Sequence, residues 1–506
     1  LHQGEQEDEA LGVLCLDMED LTKERNLEDL IGGVRVFKAR NVIMATGGPA
    51  MLYKNSVYPK SQRGSLGLAI AAGCKLQNLT ESQFGLASIG FRWNLSGSYQ
   101  QVIPRYVSID QEGKEREFLR NYYPSFKQLS RATFLKGYQW PFNSERIKDN
   151  GSSIIDLAVY HETEGLGRKV FLDFTKNPRE YEFEDLDPLV KEYLSKSKAT
   201  SRTPVGRLKQ LNEDAFLLYQ RHGIDLEKEL LDIKVCKQHL NGGFIGDKWW
   251  ETTVRHLFAI GEVNGSHGIH RPGGAALNSG QVGGLRAAQK ISHCYKDLAI
   301  NEKDFKKSLE HAMNEIGQEW KVLLQENPVK EQNLKLKAIL DSLQDRMARH
   351  GSIIRPLEGL GSEIKIVSQF LKQLPEISIL ESTVDLIPYL RLKDALFSQL
   401  VILNSILEHH RVHGGSRGSY LMLRDECNGK MKIKPPGELE QYAFVLDDAD
   451  KCDEILTIRL GHPTEGEKSM PIQTAWEKVR PIPREFGWFE NVWKDFQDEK
   501  IYEGKE

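Results

Sequence analysis

The chain has 506 residues, 40% of them apolar and 28% charged, which is enough for roughly three globular domains. Its 68 Lys and Arg and 72 Asp and Glu residues give a net charge of −4, which argues against a nucleic-acid-binding protein. Six scattered cysteines without a CxxC pair exclude a disulfide scaffold and suggest neither an iron–sulfur cluster nor a zinc site. No segment approaches the ~20 apolar residues of a membrane span, and free thiols favour a cytoplasmic location.

The first 90 residues predict strands around a short helix. The apolar run 10–16 and the alternating run 33–38 are typical of strands. Residues 41–45 form a continuous apolar run, which is typical of a strand buried on both faces of a parallel sheet. Thr46–Gly47–Gly48 follows it, and residues 65–73 predict a helix closed by a glycine.

Residues 91–232 mix aromatic, charged and loop-forming residues, and they predict an inserted domain with helices at 189–195 and 207–219. The α/β pattern then returns, with a buried strand at 255–260 and a helix at 278–292. Beyond residue 301 the chain predicts a helical bundle made of residues 305–324, 331–349, 364–374 and 390–411. The last part, from about residue 426, is mixed and includes a predicted strand at 441–446.

Two strand ends carry a pattern suited to a cofactor. Ala45–Thr46–Gly47–Gly48 ends one buried strand, and its glycines let the backbone approach a flat or phosphorylated group. Gly261–Glu262 ends the other, and a carboxylate there suits the hydroxyl groups of a ribityl or ribose chain. Either motif alone is also compatible with an ordinary turn.

The third motif runs from His267 to Gly280. Its glycine pair, Gly273–Gly274, leads into a helix containing Asn278 and Ser279, so free backbone N–H groups face a bound group there. Arg271, just before the glycines, can hold a carboxylate by two parallel hydrogen bonds.

Together these motifs resemble the flavoprotein subunit family of succinate dehydrogenase and fumarate reductase, which also includes L-aspartate oxidase and the adenylylsulfate reductase flavoprotein. The matching segments are ATGG at 45–48, IGE at 260–262, HGIHRPGG at 267–274 and Ser416–Arg417–Gly418. The resemblance implies FAD as cofactor. It also implies an α/β, Rossmann-like FAD-binding domain, an inserted α+β capping domain and a C-terminal helical bundle.

The family's GxGxxG loop, which binds the FAD pyrophosphate, has no counterpart in the sequence. We therefore expect the FAD-binding domain to be incomplete at its N-terminus. The expected divisions are 1–90 and 233–300 for the two parts of the FAD-binding domain, 91–232 for the capping domain, 301–425 for the bundle and 426–506 for a mixed extension.

The resemblance also implies site residues. His239, in a His–x–x–Gly–Gly pattern, and Arg271 would bind a substrate carboxylate, with His267 beside them. The residues implied to bind FAD are Ala45, Thr46, Gly47, Gly48, Glu262, Gly273, Gly274, Asn278 and Ser279. Arg271, His239 and Asp156 are the predicted catalytic residues.

The sequence departs from the family at two site positions. Gly85 stands where the family has a substrate-binding His, and Asp156 stands where it has the Arg that donates a proton. Tyr138, Arg146 and His161 are alternative donors. The aromatic segment 136–142 either lines a different substrate pocket or fills the core of the capping domain.

We therefore expect an FAD-dependent oxidoreductase that transfers hydride between flavin N5 and a carboxylate-bearing substrate other than fumarate. The alternatives are a non-catalytic remnant or split subunit with an assembly role, and an L-aspartate oxidase-like or adenylylsulfate reductase-like enzyme. An iron–sulfur subunit is the implied electron-transfer partner. His409, His410 and His413 share a helical face, but the sequence does not favour a metal site there.

Overall fold

A computed structural model of the protein describes residues 2–3, 8–19, 21, 27–296, 298–324, 334–425, 429–461, 470–479 and 487–502. These residues form a mixed α/β structure, as the sequence predicted. Among them, no helix combines the length and the apolar character needed to cross a bilayer.

The elements before residue 80 are β1 (His2–Gln3), β2 (Asp8–Glu9), β3 (Gly12–Leu16), α1 (Leu27–Gly32), β4 (Val34–Lys38), β5 (Val42–Met44), α2 (Gly67–Ala71) and β6 (Leu76–Gln77). Residues 82–240 form β7 (Ser82–Ser88), β8 (Trp93–Asn94), α3 (Ser98–Gln101), β9 (Arg105–Ile109), β10 (Glu115–Arg116), α4 (Phe126–Tyr138), α5 (Ser153–Tyr160), β11 (Lys169–Asp173), α6 (Pro188–Lys196), α7 (Pro204–Leu211), α8 (Glu213–Arg221) and β12 (Leu231–Leu240).

The remaining elements up to residue 377 are β13 (Gly243–Phe244), β14 (Leu257–Ala259), α9 (Ala275–Cys294), α10 (Glu302–Leu324), β15 (Leu334–Lys335), α11 (Leu336–His350), β16 (Ile354–Pro356) and α12 (Leu360–Ile377). The chain then continues through β17 (Ser378–Ile379), α13 (Leu386–Val412), β18 (Leu421–Leu423), β19 (Glu454–Leu460), β20 (Ile472–Lys478) and α14 (Phe489–Gln497).

The largest sheet is antiparallel and has the strand order β10-β9-β11-β12-β7-β8. We call it the six-stranded sheet. Every residue of β7 is buried, as are the last five residues of β12, so the centre of the sheet lies inside the protein. β7 precedes the predicted capping segment 91–232 and most of β12 follows it, so this sheet draws strands from both predicted domains.

Two smaller sheets contain strands from outside the six-stranded sheet. β5 and β14 form a parallel pair. The second sheet has the order β13-β6-β19-β20 and is antiparallel, so residues near the end of the chain pair with β6. The prediction that residues 41–45 are buried on both faces was wrong, because β5 has one described strand neighbour and Ile43 is 47% exposed.

The four predicted bundle helices are confirmed as α10, α11, α12 and α13, although residues 331–333 lie outside the described part. α13 is the central helix, with sixteen buried residues distributed around it, and it packs against α11, α12 and α2. A helix that is apolar on all sides is expected at the centre of a bundle.

Two secondary-structure predictions were wrong in detail. Residues 207–219 form parts of two helices, because Asn212 leaves the helical conformation and its side chain accepts a hydrogen bond from the N–H of Ala215, capping α8. Residues 437–442 form a 3₁₀ turn instead of the start of a strand. The residues after that turn make only isolated bridges, from Phe444 to Ile433 and from Leu446 to Ser416.

Candidate active site

The two strand ends predicted to bind a cofactor lie side by side. β5 and β14 are parallel with Met44 opposite Ala259, so the loops that follow them leave the same edge of the pair. A Cβ atom on Gly48 would lie only 2.2 Å from Oε1 of Glu262. Glycine at this position is what allows the Glu262 carboxylate to lie against the loop.

Glu262 also joins this edge to the six-stranded sheet. Its Oε1 accepts hydrogen bonds from the Tyr58 hydroxyl and from the backbone N–H of Leu240, the latter at 2.8 Å. Burial raises the pKa of Glu262. Because Leu240 follows His239, the carboxylate positions the strand that carries the predicted substrate histidine.

The other predicted cofactor residues flank the same edge. The Thr46 hydroxyl donates to the carbonyl of Ser65 at 2.7 Å, and Gly47 has a positive φ of 75°. Gly273 and Gly274 come directly before α9, and no described atom lies within 4 Å of a Cβ built on either. The backbone is therefore open to a bound group next to the positive end of a helix dipole.

The start of α9 exposes both polar and apolar residues. Asn278 is exposed, as is Ala45 at the end of β5. The hydroxyl of Ser279 lies 3.2 Å from that of Ser266. Leu277 and Leu285 on α9 are 75% and 60% exposed, which leaves apolar surface uncovered beside the open glycines.

His239 is placed by an irregularity in the pairing of β12 with β7. The register shifts between Lys237 and His239, and this shift sets His239 opposite Gln83. A bulge of this kind bends its strand and redirects the side chains beside it. The sequence carries the His–x–x–Gly–Gly pattern, but it gives no sign of the bulge.

The tautomer of His239 follows from its neighbours. The Asn241 side-chain amide donates to the carbonyls of Gly268 and Ile269, at 3.1 and 3.3 Å, so its Oδ1 is an acceptor. Nδ1 of His239 lies 3.1 Å from this oxygen and therefore carries the ring proton. Burial lowers the pKa of His239 to about 2, with smaller effects from Arg271 and His267. The ring is neutral, and Nε2 has a free lone pair.

His267 lies against His239. Their rings meet edge to face, with centroids 4.9 Å apart. Burial, followed by the charge of Arg271, lowers the pKa of His267 to about 4. Nε2 of each ring is buried and has no hydrogen-bond partner among the described residues. Two unsatisfied buried nitrogens side by side are typical of a site that binds a ligand.

Arg271 completes the group. Its Nε and Nη2 donate to Oε1 of Gln83 at 2.8 and 2.6 Å, and the Gln83 side-chain amide donates back to the Arg271 carbonyl at 3.2 Å. Nη1 makes only a long contact of 3.4 Å with the carbonyl of Pro272. Gln83 thus occupies one edge of the guanidinium and leaves the Nη1–Nη2 edge for a ligand. Gln83 belongs to no predicted site, and only its register opposite His239 identifies it.

Asp156 is not joined to this group by any described contact. It is fully buried on α5 and forms an ion pair with Lys136, at 2.5 Å, inside the insert. Burial raises the pKa of Asp156 and lowers that of Lys136, so burial favours the neutral form of each residue. Lys136 was not a predicted site residue, although it begins the aromatic segment 136–142 that the sequence analysis assigned to a substrate pocket or to the core of the capping domain.

The alternative proton donors make no described contact with His239, His267 or Arg271. Tyr138 is 59% exposed. Burial lowers the pKa of Arg146. His161 is buried with its Nδ1 3.1 Å from the hydroxyl of Tyr442. Each of these remains an untested prediction as a proton donor.

Trp140 packs against Gly85, the position at which the resemblance predicted the loss of a substrate-binding histidine. A Cβ on Gly85 would lie 2.7 Å from Nε1 of Trp140, and the Gly85 carbonyl accepts a hydrogen bond from Gln238 at 3.1 Å. Gly85 and Gln83 are two residues apart on β7, so they face the same side of the strand. The Trp140 Nε1–H is buried without a partner among the described residues, so Trp140 offers a donor beside Gly85.

The comparisons agree with this architecture. No protein-family model matches the chain. An uncharacterized FAD-dependent oxidoreductase of Methanocaldococcus jannaschii is 25% identical over 415 residues, which cover 80% of this chain and 65% of that protein. One component of the fumarate reductase (CoM/CoB) of Methanothermobacter marburgensis is 23% identical over 393 residues, covering 76% of this chain and 61% of the relative.

The solved structures show the fold. A quinol–fumarate reductase structure with menaquinol molecules matches 94% of this chain and 70% of its own, with a TM-score of 0.59 and 16% identity. By sequence and fold together, the chain is related to the flavoproteins of fumarate reductase and succinate dehydrogenase. It spans slightly less than two thirds of the length of the Methanocaldococcus and Methanothermobacter relatives.

Proposed function

We propose that this chain is part of an FAD-dependent oxidoreductase that transfers hydride between flavin N5 and a carboxylate-bearing substrate other than fumarate. The observation that carries the proposal is the convergence of His239, His267 and Arg271 at the junction of the six-stranded sheet and the β5–β14 pair. Relatives named as FAD-dependent oxidoreductase and fumarate reductase support the same reaction class.

The residues at the paired strand ends fit part of an FAD site. The open backbone at Gly273 and Gly274 leaves space for a flat group. The N-terminus of α9 suits an anion, and the Glu262 carboxylate suits hydroxyl groups. Thr46, Gly47, Gly48, Asn278 and Ser279 would complete this part of the contact. When bound, FAD supplies hydride chemistry at N5.

Arg271 would bind the substrate carboxylate through its free Nη1–Nη2 edge, while Gln83 holds the opposite edge. In the tautomer that Asn241 sets, His239 would act as a hydrogen-bond acceptor, whereas the resemblance predicts that it binds a substrate carboxylate. Its neutral ring presents a lone pair, so it accepts a hydrogen bond from a substrate N–H or O–H. If a carboxylate binds next to it, Nε2 must first take up a proton.

The substitution of Gly85 for histidine and of Asp156 for arginine is what separates the proposed substrate from fumarate. Trp140 reduces the space beside Gly85, and its free N–H favours a substrate with an extra acceptor. Asp156 as proton donor remains part of the proposal, with Lys136 as the residue that shares its proton. An iron–sulfur subunit is the proposed electron-transfer partner, which co-purification would test.

Flavin titration of the purified protein tests the proposal. We expect saturable FAD binding seen as flavin fluorescence quenching, and loss of that binding in Gly273→Leu, which fills the open space before α9. Gly90→Leu is the matched control, because a Cβ there also has no described atom within 4 Å but lies beyond β7. Equal FAD binding by both variants, or no binding by the unmodified protein, would contradict the proposed FAD site.

A second candidate function is a split subunit that needs another protein segment to complete the cofactor domain. The observation that favours it is the exposed apolar surface formed by Leu277, Val282 and Leu285 of α9. This function predicts that the chain alone binds no FAD and that a complex with the completing polypeptide does. The L-aspartate oxidase-like and adenylylsulfate reductase-like alternatives are separated by assaying the flavin-loaded protein with each substrate class.

A further inference from the structure

A cluster of metal-ligand side chains lies outside the candidate active site, at the end of α13. His409 and His413 are four residues apart and therefore lie on the same helix face. Asp447 reaches them from a loop that is tied to the chain after the helix. Its backbone N–H donates to the Ser416 carbonyl at 3.0 Å. The side chains of the three residues are 0–2% exposed.

Two of the distances within the cluster match those around a small metal ion. Oδ2 of Asp447 lies 3.4 Å from Nε2 of His409 and 3.4 Å from Nδ1 of His413. All three candidate ligand atoms lie within 4.8 Å of one another. Ligands at zinc bond lengths and tetrahedral angles are about 3.3–3.5 Å apart. The carbonyl of Gly415, 3.0 Å from Nε2 of His409, is at hand as a fourth oxygen.

The outer contacts of the cluster are those that metal-binding histidines need. Nε2 of His413, the nitrogen away from Asp447, lies 2.9 Å from Oε2 of Glu454. A carboxylate on the second nitrogen fixes the tautomer and leaves Nδ1 free for an ion. The Trp476 ring stacks on His413, with centroids 3.7 Å apart, and limits its rotation.

The charges also leave room for a divalent cation. Arg417 lies 3.7 Å from Asp447, but it forms a closer ion pair of 2.9 Å with Glu81. A second buried guanidinium, that of Arg355, also acts on Glu81, so Glu81 has two cations close to it and Asp447 has the more distant share of Arg417. Oδ1 of Asp447 is buried and has no hydrogen-bond partner among the described residues. A cation bound by Asp447 would give this buried carboxylate the partner that its Oδ1 lacks.

We propose that His409, His413 and Asp447 bind a divalent transition-metal ion of the zinc type. The ion would coordinate Nε2 of His409, Nδ1 of His413 and Oδ2 of Asp447, with a carbonyl or water oxygen in the fourth position. The ring proton that His409 donates to Gly415 in the metal-free protein would move to Nδ1. The site joins the end of α13 to the loop at residue 447 and, through Glu454, to β19.

Metal titration of the full chain tests the site. Protein stripped with a chelator is titrated with Co²⁺, whose absorption reports coordination geometry, and its zinc content is measured after dialysis against Zn²⁺. We expect one ion per chain, tetrahedral cobalt bands and a higher melting temperature with metal, because binding stabilises the folded state. His413→Gln and Asp447→Asn should abolish the cobalt bands, and Glu454→Gln should weaken binding 10–100-fold.

His410→Gln is the matched control, because this neighbouring histidine directs Nε2 to the Arg355 carbonyl at 3.1 Å, away from the cluster. It should bind cobalt as the unmodified chain does. The cobalt spectrum of the unmodified chain tests the site even if none of the variants folds. Absence of tetrahedral bands in that spectrum, or unchanged bands in a folded His413→Gln protein, would overturn the proposal.

Discussion

Gln83 holds Arg271 at two points, accepting from Nε and Nη2 with its Oε1 and donating to the Arg271 carbonyl with its Nε2. The same residue lies opposite His239 across the β7–β12 ladder. Gln83 therefore fixes the distance between the guanidinium and the neutral imidazole. Any ligand that bridges Arg271 and His239 meets a preorganised pair of groups.

We expect Arg271→Lys to retain folding and flavin but to lose turnover by about 10²-fold or more, the scale of losing one preorganised electrostatic contact. An ammonium cannot bind Gln83 along one edge and a carboxylate along another. The measurement is kcat/KM with the substrate identified for the protein. Arg286→Lys is the control, because Arg286 lies on α9 and donates only to the Lys248 carbonyl among its described hydrogen bonds. Equal turnover in both variants would make Arg271 a structural residue.

His239 should make the protein less stable in acid. Its pKa is lowered to about 2 by burial, whereas an unfolded histidine has a pKa near 6.5. Below pH 6.5 the unfolded chain binds a proton that the folded chain refuses, so stability falls by about 1.4 kcal/mol per pH unit until the pH nears the folded pKa. Chemical denaturation between pH 7 and 4 should show a decline in stability that contains this contribution together with those of His267 and His410, whose pKa values burial also lowers. His239→Gln should reduce the slope of stability against pH by the contribution of one proton. The matched variant His311→Gln, at an exposed histidine, should leave the slope unchanged.

Gly85→Ala should destabilise the protein by about 1–3 kcal/mol, because the new methyl group would overlap Nε1 of Trp140 in a packed interior. Gly90→Ala is the control, since its Cβ meets no described atom within 4 Å and should change the unfolding free energy by less than about 0.5 kcal/mol. Urea unfolding measures both. If Gly85→Ala is neutral but Trp140→Leu is not, the contact between them is looser than described.

Variants of the Lys136–Asp156 pair distinguish a structural role of Asp156 from a catalytic one. Lys136→Met should cost about 1–3 kcal/mol, because it leaves the buried Asp156 carboxyl without a polar partner. Lys136→Met combined with Asp156→Leu should recover most of that loss. A folded double variant with normal turnover would exclude Asp156 as proton donor, and one without turnover would support it. Unfolding curves and kcat, measured on the same samples, give the two answers.

Much of the secondary structure could be predicted from local patterns. The helices of the bundle and the strands β3, β4, β5 and β14 follow from apolar periodicity within each segment. The split at Asn212 is a local capping effect that overrides a continuous apolar pattern. The exposed face of β5 depends on how many strands join it, and no property of residues 41–45 records that number.

The candidate site was predictable only where its residues lie in motifs. His239, His267 and Arg271 stand beside glycines in recognisable segments, and the structure brings them together. Gln83 lies on β7, before the predicted capping segment, and Trp140 lies on a loop within that segment. Strand register places Gln83 opposite His239, and a glycine contact places Trp140 beside Gly85. Those relations join residues far apart in the chain, so a single sequence does not show them.

The pairing of β6 with β19 has a consequence for the order in which the protein assembles on the ribosome. Leu76 in β6 is fully buried, yet its strand gains this partner only after residues 454–460 have been made. Gln77, on the same strand, donates to the Gly265 carbonyl at 3.0 Å, two residues before His267. Until the last part of the chain emerges, β6 keeps an open edge that other chains can pair with. The sheet that contains Gln77 is thus completed late in translation, and nascent chains that stop before residue 454 are expected to aggregate.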